Sequence, residues 1–584
     1  MHVQLARVAI SLAFVLVAQV TPFPTQTPTP VNSALTGPFA YGVASGDMTS
    51  TSAILWTRTP ETGDITPELS TNPDFGAPTE LTAVRSSESN DFTLKVTATQ
   101  LSPGTDYYYR FRSADAVSDV GTFRTAYGAD QDAAVTLGFT GDAHWAWKPY
   151  PLLASLVKEP LDTFVFLGDL IYESRNLETG KNGTIAAESL DDFRWKYREN
   201  REPRPGGASD MVPMRDLYEH FGQYSVFDNH ETGFSKQKGA PPYITGGAQV
   251  DGQFVNQTEG FRNRIQAYSE YQPVEDAVVQ ATGDPRLDGT RQFYRTVSWG
   301  ANVELFILDD RSYRDAALAN ATDPAAADCS RTMLGAPQLS WFENQLTSAQ
   351  SHGVTWKVVV ISSPIQELGK DFDGTKAWPA GYVCERNRLL KFIDDKGINN
   401  VVFLTTDNHY TVINNLSYNT DPGDPSSALM PARNAIEILT GPLGADTDAI
   451  DQTHNVDVYG LSLRDADRKV VDTWNGTLPD AKGKLNGLVQ QGFDPIGLEA
   501  SFPGLVASSV VSDGMPAGEI VAADFASFRS FGYAVLRFDH SSLSVRVMGI
   551  PAVMDPIQLY DPVMEKSYEQ EEAHEILRFR LLAQ

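Results

Sequence analysis

Three apolar runs in this chain each end in an aspartate, and no other feature restricts the fold as much. Leu-Gly-Phe-Thr-Gly leads into Asp142, Phe-Val-Phe-Leu-Gly into Asp169, and Asn-Val-Val-Phe-Leu-Thr-Thr into Asp407. Short runs rich in β-branched and aromatic residues read as buried strands. Strands are expected at 133–139, 163–167, 303–308, 357–361 and 400–404, with helices at 150–158, 336–351 and 385–395 between them. That alternation argues an α/β core. In such sheets the strand C-termini meet at one edge, and ligands bind there. Asp142, Asp169 and Asp407 are therefore expected to converge although they are far apart in sequence.

Around these aspartates the sequence carries four polar clusters: Asp142-Ala-His144, Gly168-Asp169 followed by Tyr172, Asp228-Asn229-His230-Glu231, and Asp407-Asn408-His409. Any one of them has an ordinary reading, as an N-cap, a turn or a loop. Together, in this order, they suit a two-metal hydrolytic site. Two cations about 3.5–4 Å apart need one carboxylate that bridges both, and Asp169 is assigned that place. Asp142 is expected to bind the first metal, with His144 as a further ligand or as a donor behind the ligands. Tyr172 can add a phenolate, which suits a hard Fe³⁺ ion. Asn229 supplies a neutral carbonyl oxygen to the second metal. His230 then faces the substrate, as phosphate ligand or general acid. Asp407 and His409 are taken as ligands without assignment to either metal.

The charge balance narrows the substrates. Lys and Arg number 46 against 74 Asp and Glu, a net charge of −28. A basic groove for nucleic acid is excluded on that count. Acidity also repels anionic substrates, so a phosphate site has to be made positive by metals or by a few arginines.

The 584 residues suggest two or three domains. Arg7 followed by the apolar stretch Val8–Val20 reads as a secretory signal peptide over residues 1–20, with an uncleaved anchor as the alternative. Residues 21–36, rich in Pro and Thr, read as a linker. Residues 37–126 are expected to form a β-sandwich. The segment Leu101-Ser-Pro-Gly-Thr-Asp-Tyr107 looks like the turn and tyrosine corner of a fibronectin or immunoglobulin domain. The catalytic unit is placed at 133–552, with loops over 421–524 and a closing hairpin at 533–538 and 543–548. The tail at 553–584 is given a possible helix over 568–582. No segment after the signal peptide is long and apolar enough to span a bilayer. Cys329 and Cys384, the chain's two cysteines, are a disulfide candidate in an exported protein. Sequons at Asn182, Asn256, Asn320, Asn415 and Asn475 are compatible with glycosylation.

Several segments resemble the PhoD-like alkaline phosphatases and phosphodiesterases of the calcineurin-like metallophosphoesterase superfamily. Phe39-Ala-Tyr-Gly-Val-Ala-Ser-Gly-Asp47 with Ile54-Leu-Trp-Thr-Arg58 is similar to the family's N-terminal signature. Gly168-Asp-Leu-Ile-Tyr-Glu173, Phe227-Asp-Asn-His-Glu231 and Leu308-Asp-Asp-Arg311-Ser-Tyr-Arg314 resemble three of its internal motifs. Trp378–Arg386 with Leu404-Thr-Thr-Asp407-Asn-His409 resembles its last block. Two departures stand out: Asp142 where many members carry an iron-binding cysteine, and Thr406 where the family has glycine.

The resemblance implies a four-layer sandwich of two β-sheets flanked by helices. It also implies two or more metal ions, Fe³⁺ with Ca²⁺ first and Zn²⁺ or Mn²⁺ as alternatives, since the missing thiolate leaves metal identity open. Arg311 and Arg386 become candidates for phosphate contact, with structural ion pairing the equal alternative. The implied activity is alkaline hydrolysis of phosphomonoesters by a metal-bound hydroxide, in a secreted protein. The alternatives are a phosphodiesterase acting on phospholipid headgroups, in the manner of a phospholipase D, and an inactive cell-surface binding protein.

Overall fold

The structure is a computed structural model. It describes residues 37–173, 187, 189–204, 207–233, 246–320, 323–365, 378–445, 505–510, 519–521, 524–527, 530–553 and 556–584. The expected signal peptide and linker, Asn182 and Asn475 lie outside that set.

Two large mixed sheets lie face to face. In the first, ten strands run in the order Leu505–Val510, His574–Leu582, Ser542–Pro551, Ser530–Phe538, Val135–Thr140, Thr163–Phe166, Gly222–Ser225, Val43–Gly46, Ser52–Arg58 and Thr93–Thr99. Val135–Thr140, Thr163–Phe166, Gly222–Ser225 and Val43–Gly46 are mutually parallel. The second sheet has eight strands, among which Val303–Ile307, Trp356–Val360, Val401–Thr405 and Leu429–Leu439 are parallel neighbours.

The apolar runs are continuous because both faces of each sheet are buried. Val165 and Leu167 face the inter-sheet core, while Phe164 and Phe166 pack against helices on the outside. In the second sheet Val358, Val360, Val402 and Leu404 point inward, and Val359, Val401 and Phe403 point to the other helical layer. The outer helices are Pro151–Leu156, Leu190–Glu199, Pro213–His220 and Glu259–Tyr271 on one side, and Ala336–Ser351 and Val383–Asp395 on the other. The result is helix, sheet, sheet, helix, with the period of two along each strand deciding which side chain enters which layer.

Residues 37–126 supply strands to two sheets. Val43–Gly46 pairs in parallel with Gly222–Ser225, so three strands of this segment extend the first catalytic sheet. Asp64–Ser70, Asp106–Arg112 and Gly121–Arg124, with two short strands, form a five-stranded sheet of their own. Tyr109, Phe111 and Phe123 from that sheet share one core with Val43 and Leu55. The turn at Leu101–Tyr107 is closed by the Ser102 N–H donating to Tyr107 Oη at 2.9 Å.

Two expectations near the C-terminus are corrected. The tail is not helical over 568–582: a short helix covers Pro562–Tyr568, and His574–Leu582 is a strand of the first sheet. Its alternation, with Ile576, Leu577, Phe579 and Leu581 buried, outweighs the helical propensity of single residues. The first sheet therefore takes a strand from beyond residue 552. The stretch read as loop from 421 also contains Leu429–Leu439, which pairs in parallel with Val401–Thr405. Pro431 and Asn434 mask its pattern, and the pairing register shifts opposite Pro431.

Cys329 and Cys384 form a disulfide with a Cα–Cα separation of 5.0 Å. Closing a loop with a sequence separation of 55 stabilises by about 4 kcal/mol in the chain-entropy account. The bridge fixes the start of helix Val383–Asp395. There Glu385 also accepts hydrogen bonds from Met333 N at 2.9 Å and Leu334 N at 3.1 Å.

Among the sequons, Asn320 is exposed. Asn256 is 3 % exposed and its Nδ2 donates to Arg286 O and Ser312 O at 2.5 and 2.9 Å. That corrects the expectation of a glycan at Asn256, since the nitrogen that would carry it is buried and engaged. Asn415 lies in the strand Thr411–Asn419. No helix among the described residues is long and apolar enough to cross a membrane.

Candidate metal centre

The C-terminal ends of the parallel strands from both sheets open at one edge, and the polar clusters sit there. Asp142 follows Val135–Thr140, Asp169 follows Thr163–Phe166, Asp228 follows Gly222–Ser225, and Asp407 follows Val401–Thr405. Backbone bonds stitch these loops together. Asp142 N donates to Gly168 O at 3.1 Å and Ala143 N to Asp169 O at 2.8 Å. Leu443 N donates to Gly141 O at 2.8 Å and His144 N to Gly444 O at 2.7 Å, which ties in the loop after Leu429–Leu439.

Four candidate ligands hold left-handed backbone conformations: Asp142 at φ 60°, Asp169 at 50°, Asp407 at 73° and His409 at 54°. Such residues cost about 1–3 kcal/mol each. The core offsets this, because each fully buried aliphatic or aromatic side chain contributes about 1.5–3 kcal/mol. Gly168, at φ 95°, is required on two grounds: its conformation, and a Cβ there would stand 2.7 Å from the Asp228 Cβ.

Two groups of ligand atoms result, each with all atoms within 4.8 Å of one another: Asp142, Asp169 and His409 in one, Asp169, Asp228 and Asp407 in the other. Asp169 belongs to both, as a bridging carboxylate must. The donor set suits cations. Asp142 Oδ1, Asp228 Oδ2 and Asn229 Oδ1 are buried with no hydrogen-bond donor among the described residues. Acceptors orphaned in this way are costly unless a cation or a polar ligand meets them.

The electrostatics point the same way. Burial, and then the charge of Asp407, push Asp142 up to about 8, against the opposing hydrogen bond from Thr406. Burial pushes Asp228 up to about 7 although Arg311 opposes it. Asp169 is raised well above the usual carboxylate range by burial and by the charges of Asp228, Glu231, Asp142 and Asp407. Carboxylates crowded in this way resist ionising alone, and a bound cation reverses that balance.

His230 sits beside the groups. Its Nδ1 lies 2.7 Å from Glu173 Oε2 and its Nε2 3.9 Å from Asp169 Oδ2. With Nδ1–H donated to Glu173, Nε2 is the nitrogen left to exchange a proton. The Tyr172 ring packs against His230, tilted by 33° with centroids 4.0 Å apart, and Tyr172 Oη is 3.0 Å from His409 Nε2.

Other expectations change. His144 belongs to neither group. Its Nδ1 accepts the Ala146 N–H at 3.1 Å as the cap of the turn Trp145–Trp147, and its ring packs 4.5 Å from Tyr172 and 5.0 Å from Trp147. One ring lone pair is thereby used locally, and the ring packs beside the two groups. Arg311 does reach the centre, as a carboxylate partner: it pairs with Asp228 Oδ1 and, at 3.2 Å, with Asp407 Oδ2. Arg386 is corrected from phosphate contact to structural clamp. Its Nε donates to Ile365 O at 2.5 Å and its Nη1 to Ser417 O at 2.8 Å.

Sequence reasoning missed Asp228 as a ligand candidate, although the motif containing it had been singled out. It also missed Thr406, which donates to Asp142 Oδ2, and Ser362, which donates to Asp228 Oδ1 at 2.9 Å and Asp310 Oδ1 at 3.0 Å. Glu173, next to Tyr172, was within the quoted motif without a role.

The chain matches known proteins in sequence and in fold. The family model for PhoD-like phosphatases matches residues 137–490, and that for the PhoD-like phosphatase N-terminal domain matches residues 25–127. Alkaline phosphatase D of Bacillus subtilis (strain 168) is 28% identical over 412 residues, covering 65% of this chain and 66% of that protein. The alignment thus spans just under two thirds of that relative's length. A solved structure of PhoD superposes with a TM-score of 0.64 at 21% identity, covering 90% of this chain and 89% of the other. The chain belongs to the PhoD-like phosphatase family.

Proposed function

We propose that this chain is a secreted, metal-dependent phosphoesterase whose first preference is for phosphomonoesters. The observation that carries the reading is Asp169 shared between two groups of ligand atoms, with His230 alongside and held by Glu173. Asp142, Asp169 and His409 would hold one ion, with Tyr172 beside them, and Asp169, Asp228 and Asp407 the other, with Asn229 Oδ1 as a neutral donor. Fe³⁺ is favoured by the phenol of Tyr172, with Ca²⁺ as the second ion and Zn²⁺ or Mn²⁺ as substitutes. Such ions supply an activated water and neutralise charge on the phosphate oxygens.

The chain's own residues do the rest. Asp169 would be the carboxylate shared by the two ions. Glu173 orients the His230 ring, and His230 Nε2 releases a proton to the departing alkoxide. Arg311 holds Asp228 and Asp407 in place between the two sheets. The disulfide and the apolar N-terminal stretch support export.

The test is a panel of matched substrates on the metal-loaded protein. p-Nitrophenyl phosphate should be hydrolysed faster than bis(p-nitrophenyl) phosphate and than a phosphatidylcholine headgroup diester. The reverse order would make the chain a diesterase. Hydrolysis of none would return it to the class of binding modules.

A further inference from the structure

The Glu231 carboxylate is fully buried, and both its oxygens accept from backbone amides. Its Oε2 accepts the N–H of Asp169 at 2.9 Å and of Asp228 at 2.7 Å. Its Oε1 accepts the N–H of Leu170 at 2.5 Å and of Ile171 at 3.3 Å. Three of these amides are consecutive, and the first belongs to a residue at φ 50°. Successive N–H groups in such a turn form a concave anion site, or nest. Here the nest is filled by a side chain of the protein itself, through charge-assisted hydrogen bonds.

The two amides that share Oε2 belong to two ligand residues on loops from different strands, one after Thr163–Phe166 and one after Gly222–Ser225. One oxygen atom therefore fixes the distance between the backbones of Asp169 and Asp228. The short helical turn Asn229–Thr232 places Glu231 to reach back, with its side chain also capping that turn. Within the same turn His230 N donates to Asp169 Oδ1 at 3.0 Å, which orients the carboxylate that both ligand groups share.

We infer that Glu231 is a positioning residue of the centre: it holds Asp169 in its left-handed conformation and in register with Asp228, and so sets the metal affinity of both ligand groups together. The inference rests on the metal-dependent reading above, but its main readout is metal retention, which is measured apart from turnover. No other acceptor among the described residues is bonded to the amides of both Asp169 and Asp228. Glutamine at this position keeps the shape but replaces one acceptor oxygen with a donor NH₂ that opposes two N–H groups.

The experiment compares the full-length wild type with Glu231→Gln. Each is loaded with iron, calcium, zinc or manganese, dialysed against buffer containing no metal, and assayed for retained metal, far-UV circular dichroism and p-nitrophenyl phosphate kinetics. The expected result is a folded variant that loses both equivalents of metal at least tenfold more readily. Its kcat should fall about 10²-fold, the scale of an ångström-sized misplacement, with KM changed far less. Wild-type metal retention in a folded variant overturns the inference, whatever happens to kcat. Should Glu231→Gln fail to fold, Glu231→Asp is measured in the same way. It keeps the charge but is too short to bridge both loops, and wild-type metal retention there overturns the inference equally. If the wild type binds metal but hydrolyses nothing, the phosphoesterase reading fails while the retention comparison still decides the role of Glu231.

Discussion

Asp169→Asn is expected to lower kcat by about 10³-fold or more, the scale of losing a principal electrostatic element of such a site, and to reduce bound metal. The substitution is chosen for what it preserves. Asparagine tolerates a left-handed backbone at least as well as aspartate, so the φ of 50° at this position and the turn around it survive. The carbonyl oxygen can still accept the His230 N–H that Asp169 Oδ1 accepts at 3.0 Å. What is lost is the charge and the second equivalent oxygen, the two properties that let one side chain serve both ligand groups. A folded Asp169→Asn protein with near wild-type turnover in metal-replete buffer would contradict the bridging assignment.

His230→Ala should behave differently. The imidazole is bonded to Glu173 and lies 3.9 Å from Asp169 Oδ2, but it is in neither group of ligand atoms. Its removal should leave metal content nearly intact while kcat falls about 10²–10⁴-fold, the contribution of a positioned general acid. The loss should be greatest for alkyl phosphates, whose alkoxide needs a proton to leave. It should shrink for nitrophenyl phosphate, whose leaving group needs little help. Metal content and kinetics on both substrates check this together. Equal losses on the two would assign His230 to holding the phosphate instead.

The core of the fold was legible because its pattern is local. Phe164-Val-Phe-Leu167 and Val401-Val-Phe-Leu404 alternate between two buried faces, and nothing outside those residues is needed to read them as central strands. Ala336–Ser351 was legible to the residue. The convergence of Asp142, Asp169 and Asp407 was legible because each directly follows such a strand.

What was not legible depended on partners remote in sequence. Leu429–Leu439 is a strand by virtue of its neighbour Val401–Thr405, and Pro431 breaks its pattern. His574–Leu582 closes the first sheet against Ser542–Pro551, a contact its own sequence does not announce. Val43–Gly46 joins a sheet assembled from residues far downstream. Arg194, Lys196 and Arg201, on and just after the helix Leu190–Glu199, do not face solvent. Instead Arg194 pairs with Glu270 at 2.7 Å, Lys196 with Glu199 at 3.1 Å, and Arg201 lies 4.1 Å from the rings of both Trp56 and Tyr218. The hydrogen bond that engages His144 comes from Ala146, whereas Asp228 gains its place only when Asp169 and Asp407 arrive beside it.

The central claim, that hydrolysis depends on a centre of at least two ions sharing Asp169, is tested most directly by stripping the wild-type protein with chelator and restoring metal stepwise. Hydrolysis of p-nitrophenyl phosphate and bound metal per chain are followed together. The account predicts no turnover in the stripped protein and a return of activity that saturates at two or more ions per chain. Full activity in the stripped protein, or saturation at a single ion, would contradict it.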